Sequence, residues 1–341
     1  QASSSRYTRE PLAPAREPGL LHKLLDRDWL KTLPSRFEPH LIRAKRGDRT
    51  VALAIGVFKE SERHLIVHVR QLHFNSTGEV DFDRITIEHN DFAGEGGLLP
   101  TFLVWFARGD CADELVVPGS SPANLARIPG LLRSTRQLPA FANTQLAPIM
   151  HTGIGSVLSR NARQQLNKSI RNVSRFGELR IEEAHDVPTA IAWFAALKEF
   201  HIASWSRRGK EHAFSTPYFE TFHRALISTG IGQLLRVRAG THVLGYLYNF
   251  HFCDTAYAYQ SGFADENGND RPGYVCHATA IEHYAKAGVA KYDFLAGDNR
   301  LKRTLGPSQY TLCWATFARP TAVLRLEAFL RWTHARGRWI L

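Results

Sequence analysis

The sequence predicts an α+β protein built from two tandem units, each a mixed, mostly antiparallel sheet flanked by helices. Two observations carry this. Residues 233–306 read as strand, hairpin turn, strand, strand, turn, helix and strand, and residues 37–118 run through the same order. The repeat is visible in RAKRGDRTVALA against RVRAGTHVLGYL and in DELVVPG against KYDFLAG. At 341 residues the chain is also long for one core, so two domains are expected.

The expected limits are a disordered tail over 1–19, a first domain over 20–150, a second over 151–320 and a closing helix over 321–341. The tail carries Ser3, Ser4, Ser5, Pro11, Pro14 and Pro18 and no apolar run, so it reads as neither a signal peptide nor a folded segment. An amphipathic helix follows at 20–33, then strands at 37–44, after the turn Arg46-Gly47-Asp48, and at 64–74. The glycines of 94–97 open a helix with Pro100 in its first turn, and 113–118 reads as a buried strand. Three helical segments come next, at 159–176, from Asp186 to about Trp205, and from Thr216-Pro217 to Gly230. The first has Ala162, Leu166, Ile170 and Val173 on one stripe and Arg160, Arg163, Lys168, Arg171 and Arg175 around it. In the second unit, strands fall at 234–237, 243–250 and 256–262, a helix at 273–287 and a strand at 292–295. A basic helix at 322–336 ends the fold.

With 44% hydrophobic and 22% charged residues the composition is that of a globular protein, and no apolar stretch approaches the roughly 20 residues of a membrane span. The net charge of +11 fits a nucleotide cofactor, a polyanion, RNA or an anionic membrane surface, and equally a solvated arginine-rich surface. Cys111, Cys253, Cys276 and Cys313 form no CxxC pair and read as buried thiols of a reducing compartment, so the expected location is the cytoplasm. Sixteen histidines include no HExxH and no paired His/Cys spacing, so no metal is expected.

The helix start Arg271-Pro272-Gly273-Tyr274 is the first candidate site. A helix N-terminus offers unpaired N–H groups and a positive dipole end to a phosphate. Pro272 has no N–H, so the donors would be Gly273, Tyr274 and Val275, with Arg271 beside them. An ordinary Pro-Gly start of a core helix has the same appearance. The matching turn in the first half carries Glu95, which repels phosphate and marks that copy as degenerate. On the strand 256–262, Tyr257, Tyr259 and Gln260 can either pack or face a ligand. After the strand 292–295, Asp298 can take a proton from an attacking amine and Lys302 can stabilise an oxyanion. A mixed-charge exposed loop looks alike. Glu88 or His89, with Asn90, offers an alternative base in the first half. The segment 153–157 lacks the final glycine of a nucleophile elbow.

The strings SRNARQQLNKSIRNV, WSRRGK, GYLYNFHF, YQSGF, PGYVCHATAIEHYAKAGV and YDFLAGDNRLK, spanning about 159–305, are similar to the GNAT acyltransferases. They resemble most the CelD-like, cellulose-biosynthesis-associated branch and the related Fem-type aminoacyl transferases with tandem GNAT domains. The first half resembles the family's N-terminal region through 86–90 and the strand order. The resemblance implies an acyl-CoA or aminoacyl-tRNA donor, and the reading it leads to is a GNAT-type N- or O-acyltransferase with acyl-CoA, expected to be acetyl-CoA, as donor. A small-molecule, saccharide or amine acceptor would attack directly in the cleft between the halves. It implies Lys302 and Asp298 as functional residues; together with the residue readings above, the catalytic candidates are Asp298, Lys302, Glu88 and Tyr259 and the donor-binding candidates Arg271, Gly273, Tyr274, Val275 and Gln260. The usual pyrophosphate signature of spaced glycines is shortened here to Arg271 and Gly273. Two rivals stand beside this reading, a Fem-type ligase using aminoacyl-tRNA and a non-catalytic GNAT-like module in envelope-polymer assembly.

Overall fold

Alternating apolar and polar residues between Pro39 and Phe74 build an antiparallel meander whose turns need left-handed backbone, supplied first by Gly47 at φ +61°. The structure is a computed structural model that describes residues 2–6, 27–85, 88–207, 209, 211–264 and 270–337. These residues fall into two compact units, 1–137 with 311–341 and 138–310.

In the first unit, β1 (Ala2–Arg6) pairs antiparallel with β2 (Pro39–Arg46), β2 with β3 (Arg49–Arg63), and β3 with β4 (Val67–Phe74). The two-residue β5 (Ala93–Gly94) joins β3, and the helix Leu99–Arg108 leads to β6 (Glu114–Ser120), which lies parallel to β4. Phe102 and Phe106 of that helix pack on Phe74, Phe92, Leu115 and Val117 to form the core. Strand β7 (Leu132–Asn143) passes from this unit into the second.

The second unit begins its own order with β8 (Leu179–Glu183), β9 (Gln233–Ala239), β10 (His242–Phe252) and β11 (Thr255–Phe263), each antiparallel to the next. The helix Pro272–Lys286 crosses to β12 (Lys291–Ala296), which is parallel to β11 and antiparallel to β7. Finally β13 (Ser308–Ala318) pairs antiparallel with β6 through Cys313–Ala318 in the first unit. Both units therefore share one plan: a meander, a crossover helix, a parallel strand and an antiparallel strand drawn from a distant part of the chain. The fold is α+β with mostly antiparallel pairing in each unit, as expected.

Most predicted elements form within a few residues of their expected limits. Asp186 caps the helix Val187–Ser206 through Thr189 N at 2.8 Å, and prolines stand at the starts of the helices Leu99–Arg108, Pro217–Ser228 and Pro272–Lys286. Residues 2–6 differ from the expected tail, because backbone pairing with β2 needs no apolar side chains. Residues 7–26, which hold the rest of that tail and the start of the 20–33 helix, lie outside the described residues. Cys276 and Cys313 are buried, but Cys253 sits exposed in the β10–β11 turn with φ 50° and Cys111 is half-buried, so four buried thiols is corrected to two. The units group residues by proximity, whereas the limits 20–150, 151–320 and 321–341 follow chain order; β7 and β13 are cut differently by the two divisions.

Strand β11 lies so close to the helix Val187–Ser206 that a Cβ on Gly262 would meet the Leu197 carbonyl oxygen and come within 3.1 Å of His201 N. Gly262→Ala is therefore expected to lower unfolding stability by about 1–3 kcal/mol in urea titration, the cost of forcing a packed backbone apart. An unchanged midpoint would contradict this close approach.

Candidate functional site

In the second unit the parallel ladder between β11 and β12 holds for three pairs, Thr255 with Lys291, Ala256 with Tyr292 and Tyr257 with Asp293. Among the described residues β11 then runs on to Phe263 with no ladder partner on that side. Two distortions accompany the separation. On β11, Tyr248 pairs with Gln260 while Asn249 pairs with Ala258, so Tyr259 is the extra residue of a β-bulge. On β12, Leu295 takes φ 61° and the register to β7 shifts between Asp293 and Ala296. A leucine in that region costs on the order of 1–3 kcal/mol and needs its surroundings to hold it.

Those surroundings are specific. The buried Asp293 carboxylate accepts Leu295 N at 2.8 Å and the Tyr310 hydroxyl at 2.7 Å, and Lys291 Nζ lies 3.2 Å away. Lys302, from the short helix Arg300–Leu305, donates its ammonium to the carbonyls of Leu295 and Ala296. Burial first, and then the Asp293 charge, push the Tyr257 phenol up to about 12. At neutral pH it is a proton donor.

The open stretch of β11 from Ala258 to Phe263 is about 20 Å long and offers backbone N–H and C=O groups to an extended ligand that carries amides. Near its far end the Pro272–Lys286 helix begins. Arg271, at φ 43°, sends Nη1 to Gln165 Oε1 at 2.7 Å, and Arg300 Nη2 reaches the same oxygen at 3.3 Å. Two guanidinium groups thus converge on a neutral amide. Asp270 would oppose an anion there, but Arg175 pairs with it at 2.8 Å. On the neighbouring helix Arg160–Val173, Arg160, Arg163, Lys168 and Arg171 are exposed, and Gln164, Asn167, Ile170 and Arg171 line a cavity of about 490 Å³.

The predicted residues divide accordingly. Gly273 lies against the Phe263 ring, with room for a Cβ only at 3.0 Å. Tyr274 N and Val275 N, expected as anion donors, both donate to the Arg271 carbonyl at 3.0 and 3.2 Å, and the Tyr274 hydroxyl bonds Ala162 O at 3.2 Å. With Pro272 lacking an N–H, Gly273 is left as the amide ahead of the first helical bond. Gln260 is half-buried on the open strand. Asp298 is exposed and pairs with Arg303 at 3.0 Å. Glu88 is buried in the first unit, where Thr86 and Ile87 lie outside the described residues; Asn90 spends its side chain on Phe74 O and Asn75. Glu95 of the degenerate turn pairs with Arg46 at 2.5 Å.

Tyr259 has a role the sequence did not show. Its hydroxyl meets His223 Nε2 at 3.0 Å while His223 Nδ1 faces Tyr248 at 3.3 Å, all three buried among Phe194, Phe219, Phe222 and Phe250. His201, likewise overlooked, places Nδ1 2.8 Å from the Ser261 carbonyl of β11 and buries Nε2 without a partner among the described residues. Asp293 stood in a quoted motif but drew no role, because only the register puts it opposite Tyr257. Among the described residues no group of three or more His, Cys, Asp or Glu is placed to hold a metal ion.

Residues 160–303 match the acetyltransferase (GNAT) domain family. A search of curated proteins gave no match. Among solved structures the chain is similar to FemX, with a TM-score of 0.55 at 11% identity over 86% of this chain and 94% of that one. It is also similar to L-PGS from Bacillus licheniformis, with a TM-score of 0.52 at 10% identity over 96% and 99% of the two chains. A conserved protein of unknown function from Bacteroides thetaiotaomicron VPI-5482 gives 0.54 at 8% identity over 88% and 90%. The match over residues 160–303 and the likeness to FemX show a tandem, Fem-like GNAT fold.

Burial holds His223 and His277 down to about 3 and His73 down to about 4, so all three are neutral in the folded protein at pH 7. Unfolded, each takes up a proton near pH 6.5. Their contribution is complete above that value and is lost as pH falls toward the folded values. Stability measured by denaturant should therefore drop by up to about 2 kcal/mol per histidine between pH 7 and 5, and His223→Gln should flatten the profile. A stability that holds or rises on acidification would contradict the burial of neutral imidazoles.

Proposed function

We propose that the protein transfers an acyl group, acetyl in the first instance, from acyl-CoA to an amine or hydroxyl acceptor. The observation that carries this reading is the opening between β11 and β12 with a basic helix start at its far end, which suits a long donor with amides in its arm and a pyrophosphate at its end. The arm lies along Ala258–Phe263, with Gln260 on the same strand, and the pyrophosphate displaces Gln165 as partner of Arg271 and Arg300 near Gly273, Tyr274 and Val275. The acceptor attacks the thioester carbon directly and loses its proton to Asp298. The tetrahedral intermediate then expels the CoA thiolate. Backbone N–H groups at the Tyr259 bulge stabilise the oxyanion, Tyr257 hydrogen-bonds the departing sulfur, and Lys302 keeps the strand end bent. The quoted strings favour the CelD-like branch, and the acceptor class is a small molecule, saccharide or amine. The reaction so written needs no metal, and a cytoplasmic site is consistent with four cysteines that form no disulfide.

The likeness to FemX, together with the exposed basic residues of the helix Arg160–Val173, favours a second reading in which aminoacyl-tRNA is the donor. Thermal shift and native mass spectrometry with acetyl-CoA, longer acyl-CoAs and bulk tRNA separate the two. Stabilisation by tRNA alone would replace the first reading with the second. No response to any of them would favour a binding module.

Arg271→Ala and Arg300→Ala should each weaken acetyl-CoA binding about ten- to a hundredfold by calorimetry, in line with loss of a charge-assisted hydrogen bond of about 1.5–3 kcal/mol. Gly273→Glu, which adds bulk and negative charge, should abolish it. Unchanged affinity in all three would remove this helix start from the donor site. Lys302→Ala should lower turnover more than donor affinity.

A further inference from the structure

The first unit shows water a face that a soluble domain has no reason to keep. Its closing helix, Ala322–Gly337, exposes Leu326 by 46%, Phe329 by 57% and Trp332 by 50%, with the last two rings stacked. Beside it the loop between β3 and β4 holds Leu65 and Ile66 out at 87% and 64%. An ion cluster ties the two features together: Arg63, at the end of β3, binds Glu114 at 2.7 Å and Glu327 of the helix at 3.1 Å, and Glu327 lies 3.6 Å from Arg331.

The loop is built against its own convenience. His64 and Leu65 have φ 51° and 65°, a conformation that Gly or Asn adopts with less strain. Leucine there raises the backbone energy and projects an apolar side chain into solvent. The helix adds charge of one sign. Glu327 is nearly buried and is the single Asp or Glu after residue 321, while Arg325 and Arg331 are exposed among the apolar residues.

We propose that this face docks on an anionic membrane surface. Leu65, Ile66, Leu326, Phe329 and Trp332 enter the boundary between headgroups and acyl chains, and Arg325 and Arg331 meet lipid phosphates. Three of the five apolar residues are aliphatic and give nucleic-acid bases nothing to stack on, which argues against RNA. A second copy of the face would bring its own arginines against these, which argues against a symmetric dimer. Among the described residues no helix is long and apolar enough to cross a membrane, so the contact lies on the bilayer. The proposal is independent of the donor's identity.

The test is flotation of the full chain with vesicles of phosphatidylcholine alone and of phosphatidylcholine with phosphatidylglycerol. Binding is expected to the anionic vesicles at low salt, to weaken with added salt, and to be slight without phosphatidylglycerol. Leu65→Asn with Phe329→Ser, both at exposed positions and the first suited to its backbone, should keep the melting temperature and lower partitioning about tenfold or more. Failure of the wild type to float with anionic vesicles, or equal flotation of the variant, would overturn the proposal. So would a wild-type dimer that the variant dissociates, or tRNA binding that the variant loses in place of vesicle binding.

Discussion

The parting of β11 from β12 after Tyr257 and Asp293 is the constraint on which the second unit depends. Strand edges inside a protein are normally paired, since a backbone group without a partner costs about as much as a lost hydrogen bond. Here the edge is opened deliberately, by a bulge on one strand and a left-handed leucine on the other. Asp293 and Lys302 clamp the bend from both sides, one accepting the Leu295 amide and the other donating to the carbonyls at the strand end. The carboxylate and the ammonium thus act together on the geometry of the strand end.

The two faces of β11 are supported by different means. On one, the Pro272–Lys286 helix packs Val275, Ala278 and Ile281 against Leu247, Ala256 and Tyr292, an apolar contact of ordinary kind. On the other, an aromatic layer encloses His223, which faces two tyrosine hydroxyls and is forced neutral by burial. A neutral imidazole can donate at one nitrogen and accept at the other, so it sits between two hydroxyls without introducing a charge. That arrangement fixes the Tyr259 ring and, through it, the bulge. His201 adds a hydrogen bond to the Ser261 carbonyl further along the same strand.

Much of this was legible in the chain. Caps and prolines such as Asp186, Thr216-Pro217 and Pro272 marked helix starts, and the repeated element order announced two related units. What escaped was long-range. Strand β7 reads as LRSTRQLPAFAN, whose arginines and proline disguise a strand that is exposed along its first half. β13 alternates, yet nothing local reveals that it completes the sheet of the first unit. Within the candidate site, the Arg271–Gly273 helix start was legible because helix starts have a local signature. The convergence of Arg300 on Gln165, the opposition of Asp293 to Tyr257, and the His223–Tyr259 pair needed the register. For the same reason Tyr274 and Val275 were misread as free donors, since only the turn geometry commits their amides to Arg271.

The strand exchange has a consequence for synthesis. As the chain leaves the ribosome, residues 1–137 emerge without the neighbour of β6, which arrives only with residues 313–318, and without the helix Ala322–Gly337. Through the whole making of the second unit the first therefore carries an unsatisfied sheet edge, formed by Glu114–Ser120. The strand that closes this edge follows the whole second unit in the chain, so the nascent protein is exposed to edge-to-edge aggregation until residues 313–318 have been made.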